Sequence, residues 1–93
     1  MWQINKIVIR DIDHDVKKKN TTYYKVSFFS GNNEQGALMD VATVLAIARG
    51  FKIKAHIKGE QLDNIIKQDL KQSRLFTLYE NALKERLLEI GGK

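Results

Sequence analysis

Hydrophobic and polar residues alternate near the start of the chain as they do in β-strands. In residues 2–12, Ile7 and Ile9 lie on one side of the predicted strand. The other side carries Ile4, Val8 and Ile12. Hydrophobic side chains on both sides predict a strand that is covered on both faces for part of its length.

A second strand is predicted for residues 22–29, which are rich in β-branched and aromatic residues. Its core face is expected to carry Tyr24, Val26 and Phe28. The intervening residues 13–21 are too polar to belong to a core. Together they predict an antiparallel hairpin with a long, charged connection.

Residues 31–50 have the pattern of a helix that is hydrophobic nearly all round. Asn32 or Asn33 is expected to cap the first turn, and Gly50 to follow the last turn in a left-handed conformation. A helix of this kind is expected to be buried on more than one side. Its apolar positions are Leu38, Met39, Val41, Ala42, Leu45, Ala46, Ile47 and Ala48.

The most regular alternation in the chain spans residues 51–58. One face of this predicted strand is apolar and the other is uniformly basic. The apolar face consists of Phe51, Ile53, Ala55 and Ile57, and the basic face consists of Lys52, Lys54, His56 and Lys58.

The last third of the chain has helical periodicity, with a change of phase at residues 71–74. Two helices are therefore expected, with a break at which Ser73 is available as a cap. The whole pattern has the order β-β-α-β-α-α. It predicts a single α+β domain over residues 1–93, in which helices pack on one face of a small antiparallel sheet of about three strands.

Composition restricts the class of protein further. With 93 residues and 43% hydrophobic content, the chain has enough apolar residues for one core. It has no cysteine, which excludes disulfides and thiolate metal sites. No apolar run approaches the roughly 20 residues of a membrane span, and the N-terminus does not resemble a signal peptide. A cytoplasmic protein without membrane association is expected.

The net charge of +5 is confined to the first part of the chain. Up to Lys58 there are ten basic residues and five acidic ones, whereas from Gly59 onward there are six of each. Because phosphate neutralisation dominates non-specific nucleic-acid affinity, a localised basic surface favours a polyphosphate partner.

The aspartates of residues 11–15 are the first candidates for metal chemistry. Asp11, Asp13 and Asp15 alternate, but Val16 and Thr22 stand where a calcium loop requires glycine and glutamate. The segment is therefore interpreted as a solvated turn, and no metal or other cofactor is expected.

The histidines and serines offer no alternative site. His14 and His56 have no second histidine or cysteine at the spacing of zinc ligands. Ser27, Ser30 and Ser73 are not in a nucleophile-elbow sequence. The sequence therefore predicts no catalytic residues, no small-molecule substrate and no enzymatic activity.

The basic strand face is the strongest functional signal. Lysines interleaved with exposed aromatic residues are typical of proteins that bind single-stranded nucleic acid, and a basic hairpin can also enter a duplex groove. A small nucleic-acid-binding or regulatory protein, acting on DNA or RNA, is thus predicted. Lys6 and Phe29 are expected nearby, and the binding residues are Arg10, Lys17, Lys18, Lys19, Tyr23, Lys25, Lys52, Lys54 and Lys58.

A protein-interaction function is the alternative. The helix that is apolar nearly all round, and the charge-balanced C-terminal helices, fit a homodimer or a protein partner. The composition, with many lysines and asparagines and no proline or cysteine, is common in accessory and inhibitory proteins of phages and mobile elements. The chain is therefore either a nucleic-acid binder or a small inhibitor module.

Overall fold

A computed structural model describes residues 3–18, 21–72 and 75–91, and of residues 15–18 it describes the backbone alone. The described part of the chain forms a mixed α+β structure with one five-stranded sheet and three helices. The elements are β1 (Lys6–Lys18), β2 (Thr21–Ser30), β3 (Asn33–Met39), α1 (Val41–Phe51), β4 (Ala55–Lys58), α2 (Glu60–Gln72), α3 (Phe76–Lys84) and β5 (Leu88–Gly91).

The strands lie in the order β3-β2-β1-β4-β5. Strands β1, β2 and β3 form an antiparallel meander, whereas β4 runs parallel to β1 and β5 runs parallel to β4. The predicted three-stranded antiparallel sheet and the order β-β-α-β-α-α are therefore wrong. Strand β4 is parallel to β1 because α1 returns the chain across the sheet before β4 begins, which is how parallel neighbours are connected.

One face of the sheet is buried beneath the helices. On β1, Ile7 and Ile9 are fully buried, and they lie beside Ala55 and Ile57 of β4. The helices close over this face because each presents an apolar stripe to it. The helical part of the core consists of Val41, Val44, Leu45, Ala48, Leu62, Ile66, Leu70, Tyr79 and Ala82.

An irregularity in β1 explains why isoleucines seem to occupy both of its sides. The register with β2 shifts between Ile9 and Asp11, and beyond the shift Ile12 also packs against the core. An extra residue in one strand of a pair changes the phase of side-chain alternation. The prediction that β1 is covered on both faces is therefore wrong, and Val8 lies on the face opposite the helices.

Strand β3 occupies residues that were expected to begin the long helix. The predicted caps Asn32 and Asn33 instead lie in the β2–β3 turn and at the start of β3, and α1 begins only after Asp40. Gly36 lies in β3 opposite Ser27. Glycine in a helix interior is unfavourable by about 1 kcal/mol relative to alanine, which works against a helix through this segment.

Helix α1 differs from its prediction in two further ways. Its core side is buried, but Ala46 on the opposite side is exposed, so the helix is not covered on two sides. The left-handed residue at its C-terminus is Lys52, with φ 57°, and Gly50 lies within the helix. Phe51, expected in a strand core, ends α1 and is 44% exposed.

The C-terminal third contains the predicted break between two helices, because α2 ends at Gln72 and α3 begins at Phe76. The expected cap, Ser73, lies outside the described residues. The second helix is much shorter than predicted, since the chain leaves α3 after Lys84 and Arg86 takes a positive φ of 59°. The remaining residues form the edge strand β5.

The predicted hairpin between β1 and β2 is confirmed, but the predicted long connection is wrong. Strand β1 continues to Lys18 and β2 begins at Thr21, with a second register shift between Asp13 and Lys17. Asp13, Lys17 and Lys18 pair with β2, whereas the three residues between Asp13 and Lys17 form an irregularity in β1.

Two buried tyrosines form hydrogen bonds to α2, Tyr24 from β2 and Tyr79 from α3. The Tyr24 hydroxyl donates to Asp69 of α2 at 2.7 Å, and the Tyr79 hydroxyl donates to buried Asp63. Lys67 pairs with the other oxygen of Asp63 at 3.2 Å. Burial, followed by the hydrogen bond to Asp69 and its negative charge, raises the pKa of Tyr24 above its ordinary value.

None of the helices in the described part of the chain has the length and apolar character that a membrane crossing requires.

Candidate functional site

The sheet face opposite the helices, here called the open face, carries the candidate site. Side chains alternate between the two faces along each strand, so the residues between two core positions belong to the open face. On β1 these residues are Lys6, Val8 and Arg10 and, beyond the register shift, Asp11 and Asp13. On the other strands they are Tyr23, Lys25, Ser27, Phe29, Glu34, Gly36, Leu38, His56, Lys58, Glu89 and Gly91.

A hollow of about 340 Å³ lies on the open face above the N-terminal half of β1. Val8 pairs with Ser27 of β2 on one side and with His56 of β4 on the other. No carboxylate belongs to the described lining of the hollow, which is formed mainly by Lys6, Val8, Arg10, Phe29, His56 and Lys58. The hollow therefore combines an apolar floor with three cationic side chains.

A hydrogen-bonded network holds Arg10 against the sheet. Its Nη1 donates to Glu34 Oε2 at 2.9 Å and to Ser27 Oγ at 3.3 Å, and Ser27 Oγ donates to the same Glu34 oxygen at 2.7 Å. Ser27 is consequently only 3% exposed although it lies on the open face. The guanidinium at this edge of the hollow is positioned by its partners.

Phe29 offers the aromatic surface of the hollow. It pairs with Lys6 in the strand register and is partly exposed. The Lys6 ammonium lies 5.2 Å from the centre of the Phe29 ring, which is within the range of a cation–π interaction. The Lys6 ammonium therefore lies over one face of the Phe29 ring.

The basic strand face predicted for residues 51–58 is shorter than expected. Lys58 lies in β4 and lines the hollow, as does His56. Lys52 belongs to the C-terminus of α1, so its predicted place on a strand is wrong. Lys54 precedes β4 and pairs with Glu89 of β5 at 2.9 Å, a contact that lowers the pKa of that carboxyl.

The aromatic residues of β2 do not lie next to the lysines of β4, because β1 separates the two strands. Tyr23 and Lys25 are on the open face but pair with Asp13 and Asp11 of β1. Asp11 and Asp13 therefore lie at the same end of the open face as Tyr23 and Lys25. The structure brings Arg10 and Lys58 together with Lys6 and Phe29, and leaves Tyr23 and Lys25 beyond the hollow.

The basic hairpin tip is largely outside the described residues. Lys17 and Lys18 end β1, where only their backbone is described, and Lys19 lies outside the described ranges. Their predicted role in binding therefore stays a prediction.

A second concavity lies at the other end of the sheet, where α1 begins. It is lined by Thr22, Tyr24, Asp40, Asp69 and Leu75, and it measures only about 80 Å³. Ligand pockets for small molecules are typically several times larger. Within the described ranges, no three histidine, cysteine or acidic side chains are grouped to hold a metal ion.

Several residues of the site were not found from the sequence. Ser27 was considered only as a nucleophile, and Glu34 was assigned to a helix. Glu89 and Gly91 lie in β5, a segment for which the sequence pattern predicts a helix. A signal was present for β5, because Leu88 and Ile90 alternate with Glu89 and Gly91.

No protein-family model, no curated protein and no solved structure matches this chain, so the geometry of the open face is the basis for assigning a function.

Proposed function

We propose that the protein binds nucleic acid, without catalysing a reaction, through the hollow on its open face. The observation that carries this proposal is the combination of Lys6, Arg10 and Lys58 around an aromatic and apolar floor. Cationic side chains neutralise phosphates, and an exposed aromatic ring adds affinity that does not depend on sequence.

Charge supports the same assignment. Arg10 is paired with Glu34, but no ion pair of Lys6 or Lys58 occurs within the described part of the chain. Both lysines are exposed at the ends of their strands. They can therefore bind phosphates without breaking an interaction between charged side chains. The excess positive charge of the chain, +5, adds a long-range attraction.

Salt dependence tests the proposal directly. With two or three phosphate contacts on a single strand, the logarithm of the association constant should fall against the logarithm of salt concentration with a slope of about −1.5 to −2. Fluorescence anisotropy with mixed-sequence DNA and RNA oligonucleotides between 20 and 200 mM salt, an assay range of about tenfold, measures this slope. Absence of binding at the lowest salt would refute the proposal.

A charge-reversal pair locates the binding surface. Lys6→Glu with Lys58→Glu should reduce affinity at low salt by about tenfold or more, because two phosphate contacts become repulsive. The matched control is Lys71→Glu with Lys84→Glu, which changes net charge equally on exposed residues of α2 and α3. Equal losses in both double variants would indicate a non-specific effect of net charge.

A protein-interaction function is the second candidate, favoured by apolar side chains at the surface. Leu38, on edge strand β3, is 47% exposed, and an edge strand presents unpaired backbone groups to a partner. Light scattering over a range of concentrations tests self-association at this edge. A dimer that Leu38→Lys converts to a monomer would support this candidate, and a monomer throughout would exclude a homodimer.

A further inference from the structure

The hollow is here called a trough, because its lining follows β1 from Lys6 through Val8 to Arg10. Val8 forms its floor, and Phe29 and His56 stand on the two neighbouring strands. Gly91 keeps the β5 side low: a methyl group added there would lie 3.4 Å from the His56 Cβ atom. The apolar floor at Val8 suits a flat, apolar group, while the surrounding cations suit phosphates.

Cations occupy the two ends of the trough. Lys6 begins β1 and Lys58 ends the parallel neighbour β4, so their side chains lie near opposite ends of the hollow. Arg10, held by Ser27 and Glu34, occupies the β2 side. The ligand that matches this arrangement has a flat group between two anionic groups. One nucleotide of a strand, with the phosphates on its two sides, has this form.

From this arrangement we infer that the trough is a subsite for one unpaired nucleobase, so that the ligand is a single strand; the inference rests on the proposed nucleic-acid binding. The base stacks on the Phe29 ring above Val8, and Lys6 and Lys58 contact the flanking phosphates. The Lys6 ammonium, now 5.2 Å from the ring centre, moves aside to the phosphate when the base takes its place.

The position of Phe29 within the sheet surface, where it is partly buried, favours a single strand over a duplex. In the interior of a duplex both faces of each base are stacked on neighbouring base pairs, and only base edges and backbone are exposed. Only an unpaired base can present a free face to a ring within a sheet surface. Sheet surfaces with aromatic residues on their strands bind unpaired bases in this way in RNA-recognition domains.

Phe29→Leu provides the decisive test, because it removes the aromatic face and keeps an apolar side chain. The probes are a fluorescein-labelled oligothymidine of twelve nucleotides, about the size of one binding site, and a duplex with the same number of phosphates, whose two strands are joined by a non-nucleotide linker so that it has no unpaired bases. Wild-type protein should bind the single strand more tightly. Phe29→Leu should weaken single-strand binding about five- to hundredfold and change duplex binding less than about twofold.

Phe29→Tyr is the rescuing variant, since it restores a ring that can stack and should bind the single strand like the wild type. Thermal melting of both variants identifies any loss of folding. Inorganic tripolyphosphate serves as a competitor that has charge and no base. If it displaces the oligonucleotide from wild type and Phe29→Leu at equal concentrations, the trough recognises anions only and the base subsite is refuted.

The outcomes separate this inference from the proposed function. If Lys6→Glu with Lys58→Glu weakens binding while Phe29→Leu does not, or if the duplex binds more tightly than the single strand, the protein binds nucleic acid but has no base subsite. If wild-type protein binds neither probe at low salt, the proposed function fails as well.

Discussion

The two faces of the sheet are built from alternate residues of the same strands, yet they have different physical roles. On β1, Ile7 and Ile9 are fully buried beneath the helices, whereas Val8 between them is only partly covered on the open face. The buried face provides the hydrophobic contribution to stability. The open face can therefore carry charged and aromatic side chains at little energetic cost, and substitutions on the two faces should have separable effects.

The largest expected difference is between neighbouring residues of β1. Ile9→Ala should lower the free energy of unfolding by about 2 to 5 kcal/mol, because it leaves a cavity in a fully buried site. Val8→Ala, on the open face, should cost less than about 1.5 kcal/mol, because a smaller side chain loses less contact in a partly exposed site. Denaturant titration of both variants measures the difference, and equal costs would contradict the assignment of the faces.

Removing a tyrosine hydroxyl from each face should give the next largest difference in stability between the two faces. Tyr79→Phe removes the donor to Asp63, which is 2% exposed, and should destabilise the protein by about 1 to 3 kcal/mol. Tyr23→Phe on the open face should change stability by less than about 0.5 kcal/mol. The same denaturant titrations apply, and a tolerated Tyr79→Phe would show that water or Lys67 satisfies Asp63 instead.

Alkaline pH should weaken the helix-covered face through Tyr24. Its pKa is raised by burial and by Asp69, so the folded chain retains a proton that the unfolded chain loses. The contribution of the raised Tyr24 pKa to the free energy of unfolding is fully present below about pH 10. It is lost as the pH rises further, by up to about 1.4 kcal/mol per pH unit. Stability measured from about pH 8 to about pH 11.5, a range that includes the ordinary tyrosine pKa of about 10, should therefore fall less steeply in Tyr24→Phe. Parallel curves for the two proteins would contradict the prediction.

The smallest loss of stability is expected from a substitution of Glu34, and the same substitution should increase the affinity for a single strand. Its pair with Arg10 is about half exposed, so Glu34→Gln should cost no more than about 1 kcal/mol. The same change removes a negative charge beside the hollow, so single-strand affinity should rise by a few fold, about two to five. The matched control is Glu85→Gln, which breaks a similarly exposed pair with Arg49 on the helical side. An equal rise in affinity for both variants would argue against a local effect.

Elements with strong alternation were predictable from the sequence, as β2 and β4 show. Tyr24, Val26, Ala55 and Ile57 all lie in the core as their spacing predicts. Strand β3 was not predictable in this way, since it is an edge strand and residues 33–36 are all exposed. A strand with so little burial has no hydrophobic alternation to detect.

Strand β5 was missed for a different reason. Leu87 and Ile90 continue the three- and four-residue spacing of α3, so the periodicity extends past the residue at which the helix ends. The left-handed conformation of Arg86 ends that continuity, and arginine gives no local signal for it. Tertiary pairing with β4 decides the outcome, because Leu88 becomes buried beside Ala55.

The sequence predicted which types of residue form the candidate site, but only some of the individual residues that meet there. Arg10 and Lys58 meet because β4 pairs in parallel with β1, an arrangement that depends on residues distant in sequence. Local alternation could not show that β1 separates the aromatic residues of β2 from the lysines of β4. It also placed Lys52 on a strand that begins only at Ala55.

The position of β1 between a sequence neighbour and a distant strand has a consequence for the order of folding. Ile7 pairs with Phe28 on one side and with Ala55 on the other, so the second contact closes a much longer loop. Long-range pairings form more slowly because they cost more chain entropy. The meander of β1, β2 and β3 should therefore form early, and β4 should join it later. Because the hollow needs side chains from both parts, the proposed binding surface should form only at the last stage of folding, and an incompletely folded chain should not bind the proposed ligand.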